Sequence, residues 1–346
     1  MTATPGHATA LRRLAATVTG TTVLGHCLLG FEQPFLAPFV GALTGVTAEL
    51  ALETADAWAV GRPPRYLGGR LGRTVDFLLP SYVDGLLCAM LLYGQAHLTP
   101  VALAVLIGVG GRYALRVRPS ARTGPRAPRA SHGSRSGTGG DAPGVPYMNP
   151  VALGVAVVPL LFPWVGVVPP HQFTAWVSGP FDVIVPLAVL ALGLRAHAGP
   201  GGRLPLILGW AGGFVLQGLV RGAPGDVPTI GALLPMTGVL FVLYTCFVLP
   251  DLGTTPLAPR HQVVFGLTAA AVYGLLAGSH ADFALPLCVV VVCACRGALL
   301  AVRGRLRPGD RTGRAGQPMP GPTRSRTRRD PSCLTSRNAP EARTRR

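Results

Sequence analysis

The stretch "PFLAPFVGALTGVTAELALETADA", Pro34 to Ala57, decides which kind of fold this chain can adopt. Its first half carries no positive charge and little that is polar, and a helix over the whole stretch, at about 1.5 Å per residue, spans the roughly 30 Å hydrocarbon core of a bilayer. Its second half carries Glu49, Glu53 and Asp56 at i, i+4 and i+7, so three carboxylates share one helix face. Glu49 lies about 22 Å along the helix from Pro34. Acids that deep in an apolar segment face partners or a wet cavity, because an isolated charge there is expensive. The stretch therefore reads as a membrane helix with a polar stripe turned inward.

The whole chain agrees. It has 346 residues, 49% hydrophobic and only 13% charged, with a mean hydropathy of +0.42, the balance of an integral membrane protein. Ten apolar segments recur along it, at 14–31, 34–57, 75–96, 98–115, 150–168, 183–199, 204–220, 230–250, 262–278 and 282–302. The net charge of +17 is carried entirely by Arg, which gathers between and after these segments. With a cytoplasmic N-terminus, ten crossings place every basic residue except Arg221 on the cytoplasmic side, the pattern of the positive-inside rule. The expected fold is an all-α polytopic membrane protein of about ten transmembrane helices with both termini cytoplasmic. Its partner is the lipid bilayer; the charge is a topology signal and gives no reason to invoke nucleic acid.

Residues 1–13 read as a cytoplasmic tail, 14–302 as the transmembrane domain, and 303–346 as an Arg-rich cytoplasmic tail. The tail and the long loop 116–147 are rich in Arg, Pro, Gly and Ser, a composition that buries almost nothing and is expected to be disordered. Residues 12–31 resemble a signal peptide only in their basic start. No small-x-small cleavage pattern follows, and His26 stands before Cys27 where a lipoprotein signal needs a small residue. The seven cysteines are scattered, and Cys293 and Cys295 point about 200° apart on a helix, so they read as packing residues and not as a metal or disulfide pair. No metal site is expected.

The candidate chemistry is intramembrane. Glu49 and Glu53 lie in the second span, Asp84 in the third, His26 in the first and Gln217 in the seventh. Two readings compete for them: a functional cavity, or buried structural pairs, with Glu53 and Asp56 reaching Arg62 and Arg65 at the cytoplasmic surface.

Three further stretches carry a resemblance. "MNPVALGVAVVPLLFPWVGVVPP" (148–170), "GGRLPLILGWAGGFVLQGLVRG" (201–222) and "LLPMTGVLFVLYTCFVLPDLGTTPLAPRHQVVFG" (233–266) resemble the RnfD/NqrB family of redox-pump membrane subunits. With "LGHCLLGFEQPFLAPFVGAL" (24–43) they resemble more closely the UnbU-type membrane proteins encoded with enediyne polyketide biosynthesis. The resemblance implies two five-helix halves, inverted with respect to each other because five is odd. It also singles out Asn149 and Pro150, the pair Ser178 and Gly179, and the turn Asp251, Thr254, Thr255 and Pro256. The bottom-up reading of these is structural: Asn149 caps a helix that begins at Pro150, and Asp251 and Thr255 can cap the helix after their turn. In the redox pumps FMN is esterified to a Thr shortly after such a Ser-Gly pair. Here Phe181 stands at that position, and a phenyl ring cannot form a phosphoester. The resemblance leaves room for a flavin or quinone held without a covalent bond. It implies an accessory protein of enediyne biosynthesis in the bacterial cytoplasmic (inner) membrane, either a redox support or a transporter of a lipophilic product or intermediate. Anchoring of other proteins of the biosynthetic cluster is the third reading.

Overall fold

The computed structural model describes residues 5–29, 31, 33–67, 71–95, 97–117, 144–167, 179–199, 202–222 and 228–305. The fold is all-α. Helix α1 (Pro5–Leu24) runs into a π-helical turn, Gly25–Leu29. Then come α2 (Ala37–Val60), α3 (Leu71–Leu91), α4 (Thr99–Ala114), α5 (Pro150–Leu161), α6 (Phe181–His197) and α7 (Leu204–Gly222). A broken segment follows: α8 (Thr229–Leu233), a 3₁₀ turn (Leu234–Thr237), α9 (Val239–Leu243) and a second π turn (Tyr244–Val248). The chain closes with α10 (Pro259–Gly278) and α11 (Ala284–Arg305). Two short antiparallel ladders join connections, β1 (Leu92–Tyr93) with β4 (Gly166–Val167) and β2 (Arg116–Val117) with β3 (Val145–Pro146).

Each apolar interval read from the sequence contains a helix or, at 230–250, a broken one. Four of them, α3, α7, α10 and α11, are long and apolar enough to cross a membrane, and the broken segment makes a fifth if its two limbs, bent by 68°, count as one span. Helices α4, α5 and α6 are apolar but shorter. Helix α5 stops at Leu161 because Pro159 and Pro163 interrupt its ladder, so the interval 150–168 is helical only in its first part. The break at 233–238 has the same origin: Pro235 lies in the 3₁₀ turn and Gly238 is extended.

Two boundaries differ from expectation. Helix α1 begins at Pro5, inside the supposed tail 1–13, because Leu11 and Leu14 are buried and Arg12 is tied to Asp76 on α3 at 2.6 Å. The loop 116–147 is ordered at both ends, where Arg116 pairs with Pro146 and Val117 with Val145. Its remainder, 118–143, and residues 306–346 lie outside the described residues.

Small residues set the helix spacing. A Cβ on Gly45 of α2 would fall 2.1 Å from the Ser81 carbonyl oxygen of α3, and one on Gly85 would fall 2.1 Å from that of Gly41. Helices α4 and α5 meet in the same way at Gly154 and Ala104, and α7 and α10 at Gly209 and Gly266. Such backbone contact is how helices associate where no hydrophobic effect drives them together. The outward faces are apolar. Phe39 (72%), Trp58 (85%) and Leu275 (75%) are exposed on them, a surface suited to lipid and not to water.

Candidate functional site

The glycine contacts bring the acidic face of α2 against α3 and α4. Glu49 comes one turn after Gly45, and Ser81 Oγ donates to its Oε2 at 2.5 Å. Arg112, in the last turn of α4, donates to the same oxygen at 3.1 Å and to Asp84 of α3. Tyr113 Oη donates to Glu49 Oε1 at 2.7 Å. Among the described residues Glu49 thus accepts from three side chains and Asp84 from Arg112 alone. Both acids are buried, at 4% and 7% exposure. Two carboxylates share one guanidinium, so the trio is negative by one unless it holds a proton or a further cation.

One turn on, the stripe is neutralised differently. Glu53, fully buried, accepts from Arg62 Nη1 at 2.5 Å and from the Arg65 backbone N–H at 3.0 Å. Asp56 accepts from Arg62 Nη2 at 2.6 Å, with Arg116 3.7 Å away. The Glu53 hydrogen bond holds the Arg62 guanidinium above its usual value. The expected pairing of Glu53 and Asp56 with Arg62 and Arg65 is what forms. Arg116 also lies over the Tyr113 ring at 4.4 Å, which ties β2 to the cluster.

The second part of the chain closes over this end. Asp251 lies near enough to act electrostatically on both Arg112 and Asp84. Its carboxylate accepts from the Gly253 and Thr254 backbone N–H groups and from Thr254 Oγ1, and Thr255 Oγ1 donates to its carbonyl. Arg203 Nε donates to Thr255 Oγ1 at 2.8 Å, and Arg296 donates to the Thr254 carbonyl. Asp251 and Thr255 therefore close their own turn. They do not cap α10, whose N-cap is Ala258 with Pro256 and Leu257 intervening.

Asn149 does cap α5: its Oδ1 accepts from the Ala152 N–H at 2.9 Å, with Pro150 as the first helical residue. Its Nδ2 also donates to the Val248 carbonyl at 2.7 Å. A π turn exposes such carbonyls, since its hydrogen bonds skip a residue.

Two predicted members are not in the cluster. His26 sits in the first π turn, where Nδ1 donates to the Thr22 carbonyl and the ring packs on Phe31 and Phe35. Its polar contact is within its own helix, so it does not partner Glu49. Gln217 faces Gly274 across the α7–α10 contact, and neither amide atom has a hydrogen-bond partner. The residues that reading by segment missed are Arg112, Ser81 and Tyr113. Arg112 lies at the cytoplasmic end of the span 98–115 and so reads as a topology signal; the sign that it can partner the acids is the unbroken apolar helix that leads into it. Ser178 lies outside the described residues. Gly179 has φ +70° in the turn before α6, and Phe181 opens that helix with 54% of its surface exposed. Among the described residues no group of His, Cys, Asp and Glu is placed to hold a metal ion. Neither a protein-family model nor a curated protein matches the chain.

Proposed function

We propose that this protein is a proton-linked transporter of a lipophilic compound in the bacterial inner membrane. The observation that carries the reading is the sharing of Arg112 between Glu49 and Asp84 inside an apolar helix bundle. Acids that share one cation in low dielectric exchange a proton readily between states of the site, because neither full ionisation nor full neutrality suits it. Glu49, which accepts from three side chains, is the acid held in place, and Asp84 is the one to which the reading assigns the transferred proton.

Alternating access needs two bodies, and the helix contacts support ten crossings arranged as two inverted halves. In the first half α1 packs on α3, α2 on α3 and α4, and α4 on α5; in the second α6 packs on α9, α7 on α8 and α10, and α10 on α11. Between the halves, α1 packs on α6 and α5 on α11, and in the proposed arrangement these are counterparts related by a pseudo-two-fold axis. The extra contacts of α3 with α4 and α5 belong to the half that holds the charge cluster.

The resemblance to UnbU-type proteins supplies the setting, an accessory role in enediyne biosynthesis with the product or a lipophilic intermediate as cargo. The redox reading of the same resemblance lacks its covalent flavin anchor, since Phe181 offers no oxygen. The test is a producing strain whose own copy is deleted, complemented with wild type or Asp84→Asn. Wild type should restore secretion, and the variant, at equal membrane level, should leave product inside the cell. Equal secretion by both overturns the reading, and a fall in total product without retention favours redox support.

A further inference from the structure

A cleft of about 450 Å³ opens where the connection between α6 and α7 meets the start of α10. One wall is fixed by backbone: the Gly202 N–H donates to the Gly199 carbonyl at 3.1 Å, and a Cβ on Gly202 would run into the His197 carbonyl. Leu204, Pro205, Leu257 and Pro259 make the lining largely apolar. No Asp or Glu is among the described residues that line it.

A ligand charge of either sign fits the cleft poorly. Arg203 lies in the lining, and Arg13 reaches the rim, where its Nη1 donates to the Ala198 carbonyl at 2.8 Å. With no acid in the lining to answer them, the two guanidinium groups repel a cation. An anion finds little to hold it, because Arg203 is buried and already committed to Thr255 Oγ1 and the Leu252 carbonyl among its partners. Pro205 and Pro259 also remove an N–H each from the first turns of α7 and α10. What the cleft does offer is hydrogen-bond acceptors. His197, 2% exposed, gives its Nε2–H to the Cys246 carbonyl at 2.7 Å, which leaves Nδ1 of the neutral ring as an acceptor. Gln262 is also 2% exposed; its Nε2 donates to the Leu257 carbonyl at 3.2 Å, and among the described residues no donor reaches its Oε1. Leu257 is itself 71% exposed, so a small shift of that residue opens the amide to the cleft. A buried acceptor without a donor has lost its hydration with nothing in return, and a ligand that brings an O–H restores the bond.

We propose that this cleft binds an uncharged lipophile bearing neighbouring hydroxyls, which donate to Gln262 Oε1 and His197 Nδ1 while its hydrocarbon part lies on Leu204, Leu257 and Pro259. A cleft of this volume is within the range of small-molecule sites. The same chemistry has two sources, a neutral glyceride of the bilayer or the lipophilic cargo of the transport reading. The site is separate from the Glu49–Asp84 cluster, and its occupancy does not depend on that reading.

The test is thermal melting of the full chain in nanodiscs of dioleoyl phosphatidylcholine, a lipid without a hydroxyl. 1-Monooctanoylglycerol should raise the melting temperature, and the same ester with both hydroxyls methylated should not. Gln262→Leu should leave the ligand-free protein as stable or more so, because it removes the unpaired acceptor, and weaken binding about tenfold. Leu257→Ser, at an exposed position, should keep the fold and weaken binding about fivefold through lost apolar contact. No shift with monooctanoylglycerol, an equal shift with the methylated ester, or a shift unchanged in both variants overturns the proposal. Secretion by the complemented deletion strain tells the two sources apart: Gln262→Leu lowers it where the cleft takes cargo and leaves it at the wild-type level where the occupant is a glyceride. Binding that persists while Asp84→Asn leaves secretion intact overturns the transport reading alone.

Discussion

A single guanidinium on α4 joins one buried acid of α2 to one of α3. Arg112 reaches Glu49 and Asp84 together, which a Lys could not do in the same fork geometry. Removing it by Arg112→Met leaves two buried carboxylates without a counter-charge, a loss of about 3–5 kcal/mol. The expected outcome is a protein that fails to accumulate in membranes, measured by immunoblot and by melting of whatever survives. The two acids should respond differently. Glu49→Gln turns an amide N–H₂ toward donors already supplied by Ser81, Arg112 or Tyr113, so it should lower melting clearly, by about 2 kcal/mol or more. Asp84→Asn keeps an oxygen for Arg112 and should melt close to wild type while abolishing secretion. Equal melting of the two variants would contradict the division of roles. The acidic stripe was legible because its spacing matches a helix turn. Arg112 was not, since at the cytoplasmic end of the span 98–115 it reads as one more topology signal among the arginines.

Helices here pack by what is missing from their side chains. Gly45 touches the Ser81 backbone, whereas Gly110 of α4 has open space where a Cβ would go. Gly45→Ala must therefore push α2 from α3, pulling Glu49 from Ser81, while Gly110→Ala only gains helix propensity, about 0.5–1 kcal/mol. Melting of the two purified variants should move in opposite directions; a neutral Gly45→Ala would mean that the helices are less closely held. Both residues look alike in the sequence, which is why helix positions were readable and their contacts were not. Hydrophobic runs located every helix, but not the stop of α5 at Leu161 or the 68° break after α8, where Pro and Gly act through backbone geometry. The two-residue ladders left no periodic signal at all, because alternation needs several residues to show.

At the scale of the molecule, contacts fix which connections share an end even before a membrane is considered. Arg116 joins the α4–α5 connection to Asp56 near the end of α2, Asp251 acts on Arg112, Arg203 holds the 251–256 turn, and Arg13 holds Ala198. These connections lie at one Arg-rich end. Leu92–Tyr93 and Gly166–Val167 pair at the far ends of α3 and α5, so α4 and α5 form an antiparallel hairpin tied at both ends. Any membrane normal along this bundle puts residue 144 on the side of residue 62 and opposite residue 166. With the Arg-rich end inside the cell, reporter fusions after Arg62, Gly144 and Arg305 should be cytoplasmic and one after Val167 external. The short helices α4 and α5 make this a demanding test, since roughly 24 and 18 Å of helix must bridge with help from their flanking ladders. If they cross, the reporters alternate and the two halves are inverted. An external signal at Gly144 would break the hairpin, return the count to the four or five helices that are long and apolar enough by themselves, and remove the two-body scaffold on which transport depends.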